Sequence, residues 1–509
     1  MSEPISQKVR SHRILKSAGA LSVVALFGLA LSFLREVVIA AKIGAGSDVD
    51  AYIVASLYPT FLGSVFASTF GSTLVPAYHR TALESDLARD EFVSAAWTLS
   101  VLVVLAVTVL LGLFLGPLLR IATPGFDEQN RALAFKMAFL LLPTGVCNGL
   151  IAYQSAVLSA RKSFLVAGLA VPLAAAAVTV AVLVFGDRIG VFAIVYGSLA
   201  GAVAGLLLLG LVAMRQGVRL RLVRRFWTPP VKHSVRLAAP LLVGIVATFG
   251  TVFVDRAMAS SLGPGSIASL GYAEKVIRIP EAVIMGALPV VLFPYLSQSA
   301  LAGDHRDLRA ISTFGLALMV AVLIPVSVFC VAFSGPLTEL LFQRGKFDVT
   351  AVHLTASALA CYAFGLTFNG MGYVLPRILL ALEKNYVIAL LGCGNVVLKV
   401  IYNTLLIPLF GHAGIALGTS LMYATTDALF LGALLYYGIG LDVRVLTKAL
   451  SVGAGLGVCV LLTAFAVDAI TRSPVLRVSA VGALTAALAL LVYRSPKLRA
   501  LLLPGMSGV

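Results

Sequence analysis

Apolar residues run along this chain in long unbroken stretches, with neither strict alternation nor a narrow stripe. Fourteen such runs stand at about 17–40, 51–76, 93–119, 133–158, 164–186, 190–213, 237–261, 268–296, 310–334, 352–376, 386–408, 412–437, 446–468 and 475–493. A helix needs about 20 mostly apolar residues to cross a bilayer, and short loops with Gly, Pro and charge separate the runs. Outer-membrane barrel strands would instead alternate over ~10 residues. The pattern predicts an all-α polytopic membrane protein in which each run is one transmembrane helix.

Composition agrees. The 509 residues are 60% hydrophobic and 12% charged, against ~25% charged in soluble domains. A single soluble core would stop growing near ~250–300 residues, and disorder is excluded by the apolar content. The first run is longer than a signal-peptide core and lacks a small-residue cleavage site, so no cleaved leader is expected. The five cysteines (Cys147, Cys330, Cys361, Cys393 and Cys459) have no metal-ligand spacing and are expected to be buried packing residues. The histidines form no ligand pattern, and neither metal nor cofactor is expected.

A net charge of +16 would suggest nucleic acid in a soluble protein; here its distribution points to topology, and no nucleic-acid partner is expected. With an even number of spans both termini share a side. That side carries 24 Lys and Arg, beginning with Lys8, Arg10, Arg13 and Lys16; the other side carries 8, and the remaining six lie in spans. The excess places both termini in the cytoplasm of a multi-pass inner-membrane protein.

The chain also resembles itself. Gly44-Ala45-Gly46, Asp50-Ala51-Tyr52, Pro59 and Val75-Pro76-Ala77-Tyr78 are echoed by Gly263-Pro264-Gly265, Gly271-Tyr272-Ala273, Pro280 and Phe293-Pro294-Tyr295, at an offset of 219 (263 − 44). Six spans separate the copies, so both run in the same direction. The expected plan is two six-helix lobes in a parallel pseudo-two-fold repeat, with two further C-terminal helices. The boundaries read 1–214 for the N-terminal lobe, 215–236 for a basic cytoplasmic linker, 237–440 for the C-terminal lobe and 441–509 for spans 13 and 14. Transporters built from such repeats bind substrate near the midplane, between the bundles.

Ionisable residues inside spans are costly and mark cavities or partners. The chain places Arg35-Glu36 in span 1, Asp255-Arg256 in span 7, Glu274, Lys275, Arg278 and Glu281 in span 8, and Lys399 in span 11. Helical spacing suggests Glu274–Arg278 and Arg278–Glu281 pairs, and Asp255 and Arg256 can neutralise one another. A surplus of positive charge suits an anion, which arginine grips as a fork and lysine as a point charge. No Walker A, GxSxG or paired catalytic carboxylate motif is present, so a gradient-driven transporter is expected and not an enzyme.

Several motifs, in order, resemble one family. They are Phe33-Leu34-Arg35-Glu36 with Gly44-Ala45-Gly46 and Asp50-Ala51; Thr123-Pro124-Gly125-Phe126; Val254-Asp255-Arg256 with Ala259-Ser260, Gly265-Ser266, Tyr272-Ala273 and Pro280; Phe293-Pro294-Tyr295-Leu296-Ser297; Leu341-Phe342-Gln343-Arg344-Gly345-Lys346-Phe347; and Arg377 with Ala381-Leu382. Over about residues 15–440 the chain is similar to the MviN/MurJ family of lipid II flippases, within the multidrug/oligosaccharidyl-lipid/polysaccharide exporter superfamily. The resemblance implies a cationic cavity, two helices that hold a lipid tail, and export of an undecaprenyl-diphosphate-linked saccharide to the outer leaflet. The partners would be that lipid-linked saccharide and the membrane lipids, with the protein a monomer. Arg35 and Lys275 are the first candidates for the substrate diphosphate, Arg278 and Arg256 the next, with Asp50, Glu36, Glu274 and Glu281 supporting them.

Three family cations are absent: Leu29, Leu62 and Gly63 (or Gly63-Ser64) stand in their places, and Lys275 replaces an arginine. A flippase for an exopolysaccharide repeat unit is therefore an alternative. A cation or drug antiporter of the same superfamily, or a scaffold without transport, are readings of other classes. Some members hold sodium between an Asn and an Asp on span 11 and an Asp on span 7. Here that spacing reads Asn395, Lys399 and Asp255, so the resemblance implies an ion pair where a sodium site would be.

Overall fold

The computed structural model describes residues 26–471 and 473–494, and these are almost wholly helical, with no strand among them. The leading charges Lys8 to Lys16, the start of the first apolar run and the tail beyond Arg494 lie outside the described residues. Residues 26–43 form α1. It is followed by α2 (Ser47–Glu84), α3 (Asp86–Leu113), α4 (Leu115–Ala122), α5 (Glu128–Ala160), α6 (Phe164–Gly168), α7 (Ala170–Ile189), α8 (Phe192–Arg215) and α9 (Pro229–Ala259). After them come α10 (Ser266–Pro280), a π turn (Glu281–Met285), α11 (Ala287–Leu301), α12 (His305–Ala332), α13 (Ser334–Phe342), α14 (Val349–Phe364), α15 (Leu366–Ala381), α16 (Asn385–Phe410), α17 (His412–Tyr436), α18 (Val443–Ile470) and α19 (Pro474–Arg494).

Every predicted apolar run has helical residues in it. Among the described residues nine helices are long and apolar enough to cross a membrane, and α14 and α15 pass that test only when taken together across a 43° bend. Length and apolarity alone thus support fewer spans than the fourteen expected. Five runs are also interrupted, the fifth at Leu169 and the ninth at Phe333 among them. The third breaks at Phe114, the tenth at Gly365, and the eighth at the π turn after Pro280. Proline lacks the N–H that continues a helix, and neighbouring helices and local π geometry absorb the disruption inside a membrane.

Polar caps start the helices. Ser85 accepts from the Ala88 N–H (3.0 Å), Asp127 from Asn130 (2.8 Å), Asp348 from Ala351 (2.8 Å) and Asp442 from Arg444 (3.0 Å), as expected of Ser and Asp before a first turn. The chain forms two compact units, the first up to Phe249 and the second from Gly250.

Backbone geometry repeats between them. Gly44 and Gly265 have φ of 90° and 82°, Lys162 and Glu383 64° and 59°, Gly190 and Gly411 58° and 57°, and Gly217 and Gly438 74° and 76°. All four pairs, and the caps Asp127 and Asp348, are 221 residues apart (265 − 44, 383 − 162, 411 − 190, 438 − 217, 348 − 127). The structural register of the repeat is therefore two residues longer than the motifs suggested. Under it Arg35 is equivalent to Arg256 (256 − 35).

Small residues set the tightest packing. On α8 a Cβ added at Gly197 would lie 2.8 Å from Val178 Cα, and one at Gly201 would lie 2.8 Å from Ala174 Cα. On α17, Gly418 makes room for the Asn403 side chain of α16, whose oxygen would lie 2.7 Å from an added Cβ. Spacing of small residues by four lets membrane helices approach closely. In the second unit α18 lies on α12, with Gly453 against Ile324 and Gly457 against Val328.

One expectation fails here. Cys147 and Cys330 are buried, but Cys361 is only half-buried and Cys393 and Cys459 are exposed. A membrane helix is apolar on its lipid face as well as its packed face, so an apolar run does not reveal which way a cysteine points.

Candidate functional site

The second unit buries a polar network among apolar helices. Asp255, near the end of α9, is 6% exposed and Lys399, mid-way along α16, is 1% exposed. The Lys399 ammonium lies 2.9 Å from Asp255 Oδ2. It also donates to the Thr419 hydroxyl and, at 3.5 Å, to the Ile415 carbonyl, both on α17. Asn403 Nδ2 donates to the other oxygen of Asp255 at 2.9 Å. An ammonium has three donors and no acceptor, and three oxygens from two helices meet it.

Asn395 does not take part in that pair. Its side-chain oxygen accepts from the Thr426 hydroxyl, and Asn403 occupies the place by Asp255 instead. Asn395 and Asn403 are one turn before and one turn after Lys399, so all three share a face of α16. The level at which Asp255 approaches α16 selects the later one.

Asp255 and Arg256 attract each other, but each makes its close ion pair elsewhere. Successive residues of a helix point about 100° apart, and each finds a different partner. Arg256, 4% exposed, donates to Glu274 Oε2 at 2.9 Å, and Tyr362 donates to Glu274 Oε1 at 3.2 Å. Glu274 is thereby hydrogen-bonded from α9 and α14, and Arg278 one turn along α10 attracts it as well. Glu281, in the π turn, accepts from Asn369 of α15. Links between helices thus add to the Glu274–Arg278–Glu281 attraction along the chain. Arg278 is exposed, and Lys275 is half-buried.

In the first unit Arg35 is also half-buried and pairs with the adjacent Glu36. Lys42 at the end of α1 reaches Asp187 of α7 at 2.6 Å. Asp50 is buried in the first turn of α2, where a carboxylate is favoured by the helix dipole. Leu29 is half-exposed, Leu62 is buried and Gly63 packs against Asn148.

Sequence reading missed Asn403, Tyr362, Asn369, Ile415 and Thr419, the partners that complete the network. It also missed Asp427 on α17, a buried carboxyl whose Oδ2 has no hydrogen-bond partner among the described residues. An i,i+4 search from Lys399 would have found Asn403; nothing in the sequence marks the others. No group of three or more metal-ligating side chains is found among the described residues.

The lipid II flippase MurJ family model matches residues 39–489. The chain belongs to that family. The lipid II flippase MurJ of Burkholderia cenocepacia is 28% identical over 400 residues, 75% of this chain and 76% of that protein. A structure described as lipid II flippase MurJ in the inward closed conformation superposes with a TM-score of 0.79 at 19% identity, covering 93% of this chain and 98% of the other. A multidrug resistance MATE family transporter of the MOP superfamily, in an inward-facing conformation, superposes at 0.68 with 16% identity over 81% of this chain and 98% of its own. At such identities the superpositions establish fold. The MurJ family match, over most of the chain, establishes membership of a transporter family of multi-pass membrane proteins.

Proposed function

We propose that this protein is a flippase that carries lipid II from the cytoplasmic to the outer leaflet of the bacterial inner membrane and performs no chemistry on it. The match to the lipid II flippase family over residues 39–489 carries this reading. Arg35 and Lys275 bind the substrate diphosphate, Arg35 through its fork and Lys275 as a point charge. Arg278, exposed on α10, assists. Arg256 holds Glu274 in place, and Glu36 orients Arg35. The helices α18 and α19 offer apolar surface to the polyprenyl tail. Both termini are cytoplasmic and the protein acts as a monomer.

The Lys399 ammonium serves as a tethered cation in the second unit, so sodium is not needed and the membrane potential or protons supply the drive. Depletion of the protein, followed by identification of the lipid-linked saccharide that accumulates on the inner leaflet, tests the reading. Lipid II is the expected product. An exopolysaccharide precursor accumulating in its place, with lipid II unchanged, would overturn it.

A further inference from the structure

The connection from α8 to α9 is longer than its task requires. In the second unit the equivalent passage from α17 to α18 takes six residues (437–442), and here it takes thirteen (216–228). Both begin alike, with Gly217 and Gly438 at positive φ closing the preceding helix. Both are held by a threonine hydroxyl, since Thr98 accepts from the Val223 N–H at 3.0 Å and Thr313 from the Asp442 N–H at 3.1 Å. The additional residues of the first unit form an extended strap.

The strap is docked, and its two faces differ. Ser94 donates to the Arg219 carbonyl at 2.9 Å, and Thr98 to that of Arg221 at 3.4 Å. Val218 is buried in the core of the first unit, with Leu220, Val223 and Phe226 packed against it. Arg161 donates to the Gln216 carbonyl and to Tyr78, so that cation is spent in anchoring the start of the strap. The other face presents Arg219, Arg221, Arg224 and Arg225, all exposed, with no salt bridge to any of them among the described residues. Beside them Leu222 and Trp227 are 70% and 55% exposed.

We propose that this strap is a binding site for anionic phospholipid headgroups. Four guanidinium groups held outward on a fixed backbone can each fork a lipid phosphate, and an exposed indole flanking them fits the headgroup level, where tryptophan is enriched. A soluble phosphate would have no use for Leu222 and Trp227, whereas a lipid supplies both phosphate and acyl chain. A topology signal alone would need the charges but neither the docking nor the tryptophan. The inference rests on the chain spanning a membrane and is independent of which lipid-linked saccharide it carries.

The chain has two tryptophans, so Trp97→Phe leaves Trp227 as the sole emitter. Trp97 packs against Tyr153 in the core, so the circular dichroism of this protein is first matched to that of the parent. It is then reconstituted in phosphatidylcholine–phosphatidylglycerol vesicles in which one lipid or the other carries brominated chains. Brominated phosphatidylglycerol should quench Trp227 with a relative binding constant about threefold or more above that of brominated phosphatidylcholine. The ratio should survive an excess of inorganic phosphate at matched ionic strength. Arg219→Gln/Arg221→Gln/Arg224→Gln/Arg225→Gln should bring it to unity; if that protein misfolds, Arg224→Gln/Arg225→Gln should lower it. A ratio of unity before substitution, a ratio unmoved by the substitutions, or its loss to phosphate alone would each overturn the proposal.

Discussion

The Lys399 ammonium lies 2.9 Å from Asp255 Oδ2 in an interior from which both are almost wholly excluded from solvent. Removing one partner of such a pair leaves the other as a bare buried charge, which costs about 3–5 kcal/mol. Lys399→Met should therefore lower the thermal midpoint and the yield of folded protein. Adding Asp255→Leu should recover most of the loss, because an apolar pair removes the charge altogether. Thermal unfolding of the two variants in detergent measures both effects. A double variant no more stable than the single one would contradict the pairing.

Sodium response follows from the same contact. The three oxygens around the ammonium leave no place for a second cation, so exchanging sodium for potassium should not change the flipping rate in vesicles. In Lys399→Ala the ammonium is gone while Asp255, the Ile415 carbonyl and Thr419 remain. Sodium should stabilise that variant against heat and leave the parent unaffected. A sodium-dependent rate in the parent would defeat this expectation.

Arg35 and Arg256 occupy equivalent places but should fail differently. Arg35→Ala removes a half-buried cation beside Glu36, and it should abolish complementation while the protein remains in the membrane at normal abundance. Lys275→Ala should behave likewise. Arg256 is itself almost fully buried, and Arg256→Ala leaves a hole and takes from the half-buried Glu274 its closest cation, so abundance itself should fall. Immunoblotting of membranes alongside growth distinguishes the two patterns; normal growth with both Arg35→Ala and Lys275→Ala would remove them from the substrate site.

Overpacking tests the helix pairs. Gly201→Leu places a side chain where the backbone of α7 already lies 2.8 Å from a bare Cβ, and a cost of about 1–3 kcal/mol is expected. The same change at Gly71, where nothing lies within 4 Å, should be mild. Comparable thermal midpoints for the two would argue against the close α7–α8 contact.

Apolar runs made the helices legible, because every expected run proved helical even where it is too short or too broken to pass as a span by length. Breaks were harder: Gly365 and the π turn after Pro280 lie inside runs whose apolarity does not change. The same holds for direction. Cys393 and Cys459 sit in stretches as apolar as those holding Cys147, yet they point outward. Among the polar residues, the Asp255–Lys399 pairing came into view through family spacing, while Asn403 was passed over for Asn395 because the sequence does not give the depth at which α9 meets α16. For Glu274 the sequence shows its neighbour Arg278 on the same helix but not its partners on two others. Spacing along one helix is visible in a sequence, and Tyr362 on another helix 88 residues away is not.

The repeat supplies an internal control for the buried charges. Shifted by 221 residues, Lys399 and Asn403 become Val178 and Val182 (399 − 178, 403 − 182) on α7. Both valines are almost fully buried, at 2% and 0% exposed, and Gly197 approaches this helix from α8 as Gly418 approaches α16 from α17. One backbone has thus been furnished twice, once with hydrocarbon and once with an ion pair. Since valine fills the slot in the first unit, the architecture itself does not demand a charge there. Buried ion pairs rarely outperform apolar replacements in stability, so Lys399 and Asp255 give the second unit a charged interior that the first unit's packing does without.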